Sequence, residues 1–333
     1  MRAVLPIGKL PEEFLRKHVL PYLGYRRGDV VLWPGFGEDA GAVKMSKKTY
    51  IFSTDPITGS KGLVGWLAVQ ASANDVAVCG GEPRWFSSTI LMPRGSRPND
   101  IDRVVKQIHT ACRELKVAIV TGHTEVAPFV SEPVVVGHMV GVLVADRVVT
   151  SAGAKPGDHI VVVKSPGLEG SAILATDFPE QLISRGVDKR EVALARRFVR
   201  YISVVKEALA YAKTGASALH DPTEGGLLGG LYEIARASGV GFEVYRDKIP
   251  VNPIVSKICS RLDLDPLKLI SSGSLIVVAK HINPKLLKRT GGRVVGKILS
   301  RKKGMNVYSE NGRERVKGPV YDELWRFLEE YTS

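Results

Sequence analysis

The chain has 333 residues, 44% of them hydrophobic, and it carries a formal net charge of +13. This length is enough for two domains of ordinary size with full hydrophobic cores, and the composition excludes an intrinsically disordered protein. No segment reaches the roughly 18 uninterrupted apolar residues of a membrane helix, and residues 1–9 lack the apolar core of a secretory signal, so we expect a cytoplasmic protein.

The positive charge is spread along the whole chain and is densest from residue 280 to residue 303. Clustered Lys and Arg can bind nucleic acid through its phosphates, but this stretch is not interleaved with the aromatic side chains that stack on single-stranded bases. Nucleic-acid binding is therefore the less favoured interpretation. The chain has three glutamines, which favours a thermophilic source, and three well-separated cysteines, which we expect to be buried thiols.

Apolar spacing and turn residues predict a mixture of helices and strands in both halves of the chain. In the first half, the pattern predicts helices at 11–23, 62–79 and 98–116 and strands at 42–45, 50–53, 84–92, 117–120 and 133–144. In the second half, it predicts strands at 159–163 and 275–279, a long helical stretch at 189–213 and a helix at 228–237. The small, turn-forming segment 151–158 separates the halves and predicts domains at 1–153 and 154–333.

Four short acidic clusters lie in the first 125 residues, and each is predicted to fall where a strand or helix meets a turn. They contain Gly37 and Asp39, Thr54 and Asp55, Asn74 and Asp75, and Gly122, His123, Thr124 and Glu125. Small residues let the backbone approach a ligand, and carboxylates are ligands that Mg²⁺ takes when it carries nucleotide phosphates. A single carboxylate in such a place is more often a solvated turn or a helix cap, but Asp75 lies in an apolar stretch where it requires a partner. Together the clusters predict a metal–phosphate site.

A fifth polar cluster, His220-Asp221-Pro222-Thr223-Glu224-Gly225-Gly226, precedes the helix predicted in the second half. Asp221 and Thr223 could cap that helix, and the two glycines would let an anion approach the free N–H groups at its start. A simple capped helix is the alternative. The chain contains no P-loop, no dinucleotide-binding glycine loop of the correct spacing, no serine-hydrolase elbow and no zinc-protease helix.

The order of these clusters, from Gly8 to about Ala279, resembles the AIR synthase (PurM-like) superfamily. That superfamily includes selenophosphate synthetase, thiamine-monophosphate kinase and the HypE family of hydrogenase maturation, and the runs 221–227, 233–235 and 249–251 are most similar to HypE. The resemblance implies an α+β, two-domain fold. Its N-terminal α+β domain would form a homodimer through its sheet, and its C-terminal α/β domain would close over the nucleotide cleft.

The resemblance also implies a role for each cluster. Asp39, Asp55 and Asp75 would hold Mg²⁺ and ATP phosphates, and the nucleotide would further contact Gly37, Thr54, Asn74, Gly122, Thr124, Gly225 and Gly226. Asp221 would face the substrate as a catalytic group. His123 is a candidate phosphate donor or acid–base group, although a histidine in a turn can equally be structural.

The activity that the superfamily shares is ATP-dependent activation of an oxygen or similar nucleophile by phosphoryl transfer, which needs positioning and charge neutralisation. Two departures from HypE predict a HypE-like enzyme with another substrate: His123 stands where HypE usually has aspartate, and the chain ends without a cysteine. The alternatives are a phosphotransferase like thiamine-monophosphate kinase or selenophosphate synthetase, and a non-catalytic nucleotide-binding regulator. The second substrate, a small molecule or a protein-borne group, stays unidentified.

Overall fold

The structure is a computed structural model that describes residues 5 and 7–332. The expectation drawn from residues 1–9 therefore falls largely outside the described residues. The chain forms two mixed α+β units, each built on one sheet, and no helix in the described ranges is long and apolar enough to cross a membrane. The three cysteines are buried free thiols, as predicted.

The first sheet has six strands in the order β1-β2-β3-β6-β4-β5, and only the β4–β5 pair is parallel. Its strands are β1 (Val30–Leu32), β2 (Gly41–Met45), β3 (Lys48–Ile57), β4 (Gly81–Met92), β5 (Ala118–Val126) and β6 (Val134–Leu143). The helices of this half are α1 (Glu12–His18), α2 (Val64–Val78) and α3 (Pro98–Leu115). Helix α2 is buried along nearly its whole length, because it packs against the first sheet on one side and against the second unit on the other.

The second sheet has seven strands in the order β13-β12-β9-β11-β7-β10-β8. They are β7 (His159–Val163), β8 (Ala218–His220), β9 (Val240–Tyr245), β10 (Leu275–Ala279), β11 (Arg293–Ser300), β12 (Met305–Ser309) and β13 (Gly312–Arg315). The helices are α4 (Leu168–Asp177), α5 (Pro179–Ser184), α6 (Lys189–Arg196), α7 (Val205–Ala212), α8 (Gly226–Ser238), α9 (Pro253–Arg261), α10 (Pro284–Thr290) and α11 (Glu323–Thr332). Strands β7 and β10 are apolar at every buried position because helices cover both faces of this sheet.

The prediction of two mixed units is confirmed, but the second sheet differs from the implied α/β architecture. Only its β9–β12 pair is parallel, and the other neighbouring strands are antiparallel. Strands β7 and β8 run in the same direction, and β10 is inserted between them in the opposite direction. The predominance of antiparallel pairs makes the unit α+β. The boundary at 153/154 lies between the two sheets and stays a prediction.

The long helix predicted at 189–213 is wrong, because the chain forms α6, a 3₁₀ turn at Arg197–Tyr201 and then α7. The break has a cause in the other unit. The Asn74 side chain of α2 accepts a hydrogen bond from the Val204 backbone N–H at 2.8 Å and donates one to the Ile202 carbonyl at 3.0 Å. Backbone groups that an unbroken helix would use internally are therefore bound by α2.

Candidate functional site: an acidic cleft between the two units

A cleft of about 580 Å³ lies between the two units. The first unit contributes the end of β3 and one face of α2, and the second contributes the start of α4 and the loop before α8. The segment Ile7–Lys9 and the Trp325 side chain of α11 line it as well. Residues 7–9 and helix α11, which are far apart along the chain, therefore both contact this cleft.

Asp55 of β3 lines the cleft, and the buried Asp75 of α2 lies close to it. Because side chains alternate along a strand, Asp55 shares a face with Ser53, whose hydroxyl donates a 2.6 Å hydrogen bond to Asp75 of α2. Burial raises the pKa of Asp55 to about 6, with Glu224 and Asp39 adding to the effect and Lys9 opposing it. Burial raises the pKa of Asp75 well above its ordinary value, and the nearby charges of Asp55 and Asp39 raise it further. Neither carboxylate has a basic side chain bonded to it within residues 7–332.

The third carboxylate, Asp39, lies in the loop between β1 and β2 and is paired with a buried histidine. His220 Nδ1 bonds Asp39 Oδ2 at 2.9 Å, and His220 Nε2 bonds Glu233 Oε2 of α8 at 2.9 Å. Burial alone lowers the pKa of His220, but the two carboxylates outweigh it and raise the pKa to about 10. At neutral pH the ring is therefore an imidazolium that donates to both carboxylates.

Lys9 continues this series of charges toward the mouth of the cleft. Its ammonium group lies 3.2 Å from Glu233 Oε1, and its backbone N–H donates to Glu224 Oε1 at 3.0 Å. Trp325 Nε1 donates to the same Glu224 oxygen. Burial opposes the charged form of Lys9, yet Glu233 and the other carboxylates raise its pKa overall, and Glu233 has a pKa lowered to about 2 by Lys9 and His220 despite its burial.

Asp221 and Asn74 meet beneath the cleft, and both are almost completely buried. Asn74 Nδ2 donates to Asp221 Oδ2 at 2.9 Å, whereas Asp221 Oδ1 has no hydrogen-bond partner among the described residues. Burial raises the pKa of Asp221 well above its ordinary value. Asn74 thus positions Asp221 and the chain break at 202–204, and its predicted contact with a nucleotide stays a prediction.

The glycine turn before α8 differs from the predicted helix cap. Helix α8 begins after Gly225, and no side chain caps it, so the capping roles of Asp221 and Thr223 are wrong. The N–H groups of the turn are also not free: Gly225 donates to Asp322 at 2.6 Å, and Gly226 donates to the Thr223 carbonyl at 3.0 Å. Both glycines have positive φ, and a side chain at Gly226 would lie 2.7 Å from backbone carbonyl oxygens, so the turn requires glycine for its shape.

Gly37 brings the Asp39 loop against α8. It has a φ of 78°, and a Cβ atom there would lie 3.1 Å from the Glu233 carbonyl oxygen. The close approach of this loop to α8 allows Asp39 and Glu233 to share His220.

The fourth cluster does not join the other three within one chain. It lies in β5, the exposed edge strand of the first sheet, instead of in the predicted turn. Register places Gly122 in one row with Ser88, Gly137 and Asp55, three strands away or roughly 14 Å from Asp55 at the usual strand spacing. Thr124 shares this face, while His123 and Glu125 lie on the other, where they pair at 3.2 Å. Thr54 also lies on the opposite face from Asp55 and is exposed.

Two family matches cover most of the chain. Residues 37–143 match the N-terminal domain of AIR synthase related proteins, and residues 155–306 match the C-terminal domain. Carbamoyl dehydratase HypE of Cupriavidus necator is 33% identical over 293 residues, which are 84% of this chain and 77% of that protein. The chain belongs to the AIR synthase-related family.

Other relatives agree with this assignment to the AIR synthase-related, PurM-like proteins. A putative hydrogenase expression/formation protein of Methanocaldococcus jannaschii is 27% identical over 96% of both chains. A structure of HypE in complex with ATP has a TM-score of 0.70 and 25% identity over 94% of both chains, and a HypE–HypF complex gives 0.71 and 25% over 84% of this chain and 93% of that one. ThiL complexed with AMPPCP and TMP shares the fold, with a TM-score of 0.74 and 19% identity over 95% of this chain and 98% of that one. The predicted resemblance is confirmed.

For this AIR synthase-related chain, sequence reasoning gave no role to four charged residues in and beside the cleft. Lys9 and Glu169 line the cleft, and His220 and Glu233 lie beside it, bonded to Asp39 and Lys9. Glu169 lies at the start of α4, accepts a 2.9 Å hydrogen bond from the Ser272 N–H, and has a pKa that burial raises to about 7. His220 precedes Asp221 in the fifth cluster, and this position next to a candidate catalytic residue could have indicated a role for it. The sequence around Lys9 gave no such indication, since its partner Glu233 is 224 positions away.

The donor set of the cleft fits Mg²⁺ that arrives with phosphates. In the part of the chain that the structure describes, no three His, Cys, Asp or Glu side chains converge into a complete metal cage. Mg²⁺ in nucleotide sites is usually held by one or two carboxylates and completed by phosphate oxygens and water. His220 and Ser53 occupy one oxygen of Asp39 and of Asp75, so the second oxygen of each and both oxygens of Asp55 are the available ligands.

Proposed function

We propose that this protein is an ATP- and Mg²⁺-dependent enzyme that activates an oxygen or similar nucleophile by phosphoryl transfer. The observation that carries the proposal is the carboxylate of Asp55 in the wall of an interdomain cleft, with Asp39 and Asp75 close to it. The charge of Asp39 raises the pKa of Asp55, and the charges of Asp55 and Asp39 raise the pKa of Asp75. Uncompensated carboxylates in a buried site are costly unless a cation binds there. Phosphoryl transfer depends on such charge neutralisation and on positioning, and needs no strong protein nucleophile.

Each of these residues would have a separate role in catalysis. Bound Mg²⁺ would neutralise phosphate charge, held by Asp55 and the available oxygens of Asp39 and Asp75. The half-exposed Lys9 ammonium group would orient the phosphates at the mouth of the cleft. Asp221, whose Oδ1 has no hydrogen-bond partner among the described residues, would act on the substrate as the catalytic group. The second unit would close over the nucleotide through the loop at 223–226.

The second substrate is proposed to be a group carried on a protein, as in a HypE-like reaction. This rests on the relative named carbamoyl dehydratase HypE and on the HypE–HypF complex of similar fold. A small-molecule phosphotransferase is the second candidate, favoured by the fold shared with ThiL. Release of ADP that thiamine monophosphate accelerates would favour the second candidate over the first.

ATP hydrolysis tests the core of the proposal. We expect Mg²⁺-dependent turnover in the wild-type protein and at least a 100-fold loss in Asp55→Asn, since a metal ligand is removed (on the order of 3 kcal/mol in the barrier). Asp102→Asn on the exposed face of α3 is the matched control and should retain full turnover. Equal rates in the wild type and Asp55→Asn, measured with and without candidate second substrates, would refute catalysis by this cleft.

A homodimer formed through the first sheet is part of the proposal. The sheet face opposite α2 is open and partly apolar, with a stacked Tyr50–Trp85 pair and half-buried Phe52 and Val140, and every residue of the edge strand β5 is exposed. Exposed apolar faces and unpaired edges of this kind favour association. A second copy would also bring its own Gly122 and Thr124 near the interface.

Subunit mixing tests whether the fourth cluster acts across that dimer. Asp75→Asn and Thr124→Lys homodimers should each be inactive if the site combines residues of two subunits. Mixed dimers should then regain up to about half the activity per dimer, because one of the two sites is intact. Full activity of the Thr124→Lys homodimer would place the fourth cluster outside the site. No recovery on mixing, with exchange verified by mass spectrometry, would exclude a site that combines residues of two subunits.

A further inference from the structure

A second cavity, of about 530 Å³, lies beside a different face of α8 from the one that carries Glu233. Helix α1, the end of α8, the 3₁₀ turn at Arg301–Lys303 and the segment after β13 surround it. Five cationic side chains line it, and we call it the basic pocket: Arg16, Arg236, Arg301, Arg315 and Lys317. Glu12 is the single acidic residue of its described lining.

The negative charge of Glu12 is balanced by two arginines of the pocket wall. Its Oε1 accepts from Arg16 at 2.7 Å, its Oε2 accepts from Arg236 at 2.7 Å, and its side chain is 8% exposed. Within residues 7–332, no ion pair involves Arg301, Arg315 or Lys317. The lining therefore has an excess of four positive charges, because five cations face one carboxylate. Like charges gathered around one cavity repel, and a bound anion would relieve that repulsion.

Two features hold arginine groups in place around this cavity. Arg236 is fixed by its bond to buried Glu12. Arg315 lies against the backbone at Gly304, where a Cβ atom would come within 2.9 Å of the guanidinium; Gly304 has a φ of 74° and no side chain, so it leaves that space open. Guanidinium groups presented from separate elements are suited to bidentate contacts with phosphate oxygens.

The floor of the pocket is apolar, whereas its rim is cationic. Ala235, Val240, Met305 and Val316 supply apolar surface, and Tyr232 supplies an aromatic edge. A cavity of this size with an apolar floor and a few charged groups matches the usual form of a small-ligand site. An inorganic anion would leave the floor uncovered, whereas an organic molecule with phosphate groups would contact both parts.

We propose that the basic pocket is a second ligand site, separate from the acidic cleft, for a small organic molecule that carries two or more phosphate groups. Its recognition does not depend on Mg²⁺, since the lining itself supplies the positive charge. The acidic cleft has the opposite requirement, so metal-free conditions separate the two sites.

Calorimetric titration with inorganic pyrophosphate in EDTA tests the proposal. We expect saturable 1:1 binding that weakens at least 10-fold in the Arg301→Ala/Arg315→Ala double variant. The matched control is Lys47→Ala/Lys48→Ala, which removes the same charge from an exposed turn between β2 and β3 and should bind as the wild type does. All four side chains are exposed, so both variants should fold, and circular dichroism checks this.

Three outcomes would overturn the proposal. One is absence of pyrophosphate binding to the wild type, and another is an equal loss in both double variants, which would indicate a general charge effect. The third is tighter binding of an oligonucleotide than of ADP in EDTA at equal salt, abolished by the same arginine substitutions, which would make the pocket part of a nucleic-acid surface. Tighter binding of ADP than of pyrophosphate supports contact of an organic body with the apolar floor.

Discussion

The charged residues in and beside the cleft fall into two groups that differ in how their charges are balanced. Asp39, His220, Glu233 and Lys9 alternate in sign and contact one another in sequence. Asp55, Asp75 and Asp221 have hydroxyl, amide or no partners and lack a bonded cation among the described residues. The first group stabilises the fold, while the second costs stability that a bound cation would restore.

Replacement of Asp55 should separate stability from activity. Burial raises its folded pKa to about 6, above the ordinary value of 3.8, so the folded state binds the proton more tightly and the stability linked to that proton is lost as pH rises through about 6. Asp55→Asn should therefore raise the free energy of unfolding at pH 7 by roughly 1–2 kcal/mol in metal-free buffer, with no gain at pH 4. Urea denaturation at both pH values measures this, with Asp102→Asn as the control. An equal gain in the free energy of unfolding at pH 4 and pH 7 would contradict the assignment of this cost to the ionised Asp55 carboxylate.

Replacement of His220 should have the opposite sign. The folded pKa is raised to about 10, so the stabilisation is complete below pH 6.5 and is lost as pH rises through 10. His220→Gln leaves two buried carboxylates without their cation and should cost about 3–5 kcal/mol at pH 7. The exposed His123 gives the control, since His123→Gln should leave the denaturation midpoint unchanged. A loss below about 1 kcal/mol in His220→Gln would show that the ring is neutral in the folded protein.

Residue types predicted the acidic side of the cleft better than its basic side. Asp75 stands out because a carboxylate inside an apolar run is unusual, and Asp39 and Asp55 stand out as members of an ordered set of similar clusters. His220 and Lys9 are not unusual in their local sequence, and their carboxylate partners come close only in the folded protein. The prediction that the fourth cluster lies at a turn was wrong, since a glycine-bearing acidic segment is equally compatible with an edge strand. Its role at the nucleotide stays a prediction.

Helix α2 is the element that joins the two units. Apolar side chains around its whole circumference allow its burial on nearly all sides. The break between α6 and α7 could not be predicted, because the periodicity of 189–213 is helical throughout and the interruption depends on Asn74, more than a hundred residues earlier.

Truncation of Asn74 should therefore disturb a distant element. Asn74→Ala removes three hydrogen bonds, to Ile202, Val204 and Asp221, and should cost about 2–4 kcal/mol, since each buried group left unpaired costs 1–3 kcal/mol. Hydrogen exchange of the Val204 amide should accelerate well beyond the global change. The exposed Thr54→Ala substitution on the same unit is the control. Unchanged protection at Val204 would refute the link between α2 and the break.

At the scale of the whole molecule, the cleft is lined by both units, by residues 7–9 and by Trp325 of α11. A ligand that binds only the folded state stabilises it in proportion to its occupancy. ATP with Mg²⁺ at about 100 times its Kd should add about 2.7 kcal/mol to the free energy of unfolding, and EDTA should remove that gain. Thermal shift measurements on the wild type and on Asp39→Asn check this. An equal shift in both proteins, or a shift that survives EDTA, would mean that the nucleotide binds elsewhere.

The contacts of Lys9 with Glu233 and of Glu12 with Arg236 each span 224 positions, and this sets an order in time during synthesis. At about 5–20 residues per second, a ribosome needs roughly 10–45 s to make the partners of these two residues after the residues themselves have emerged. Through that interval Lys9 lacks Glu233 and Glu12 lacks Arg236, and the first sheet can fold before its cleft is complete. The acidic cleft is thus among the last parts of the newly made protein to be completed, after translation of α8.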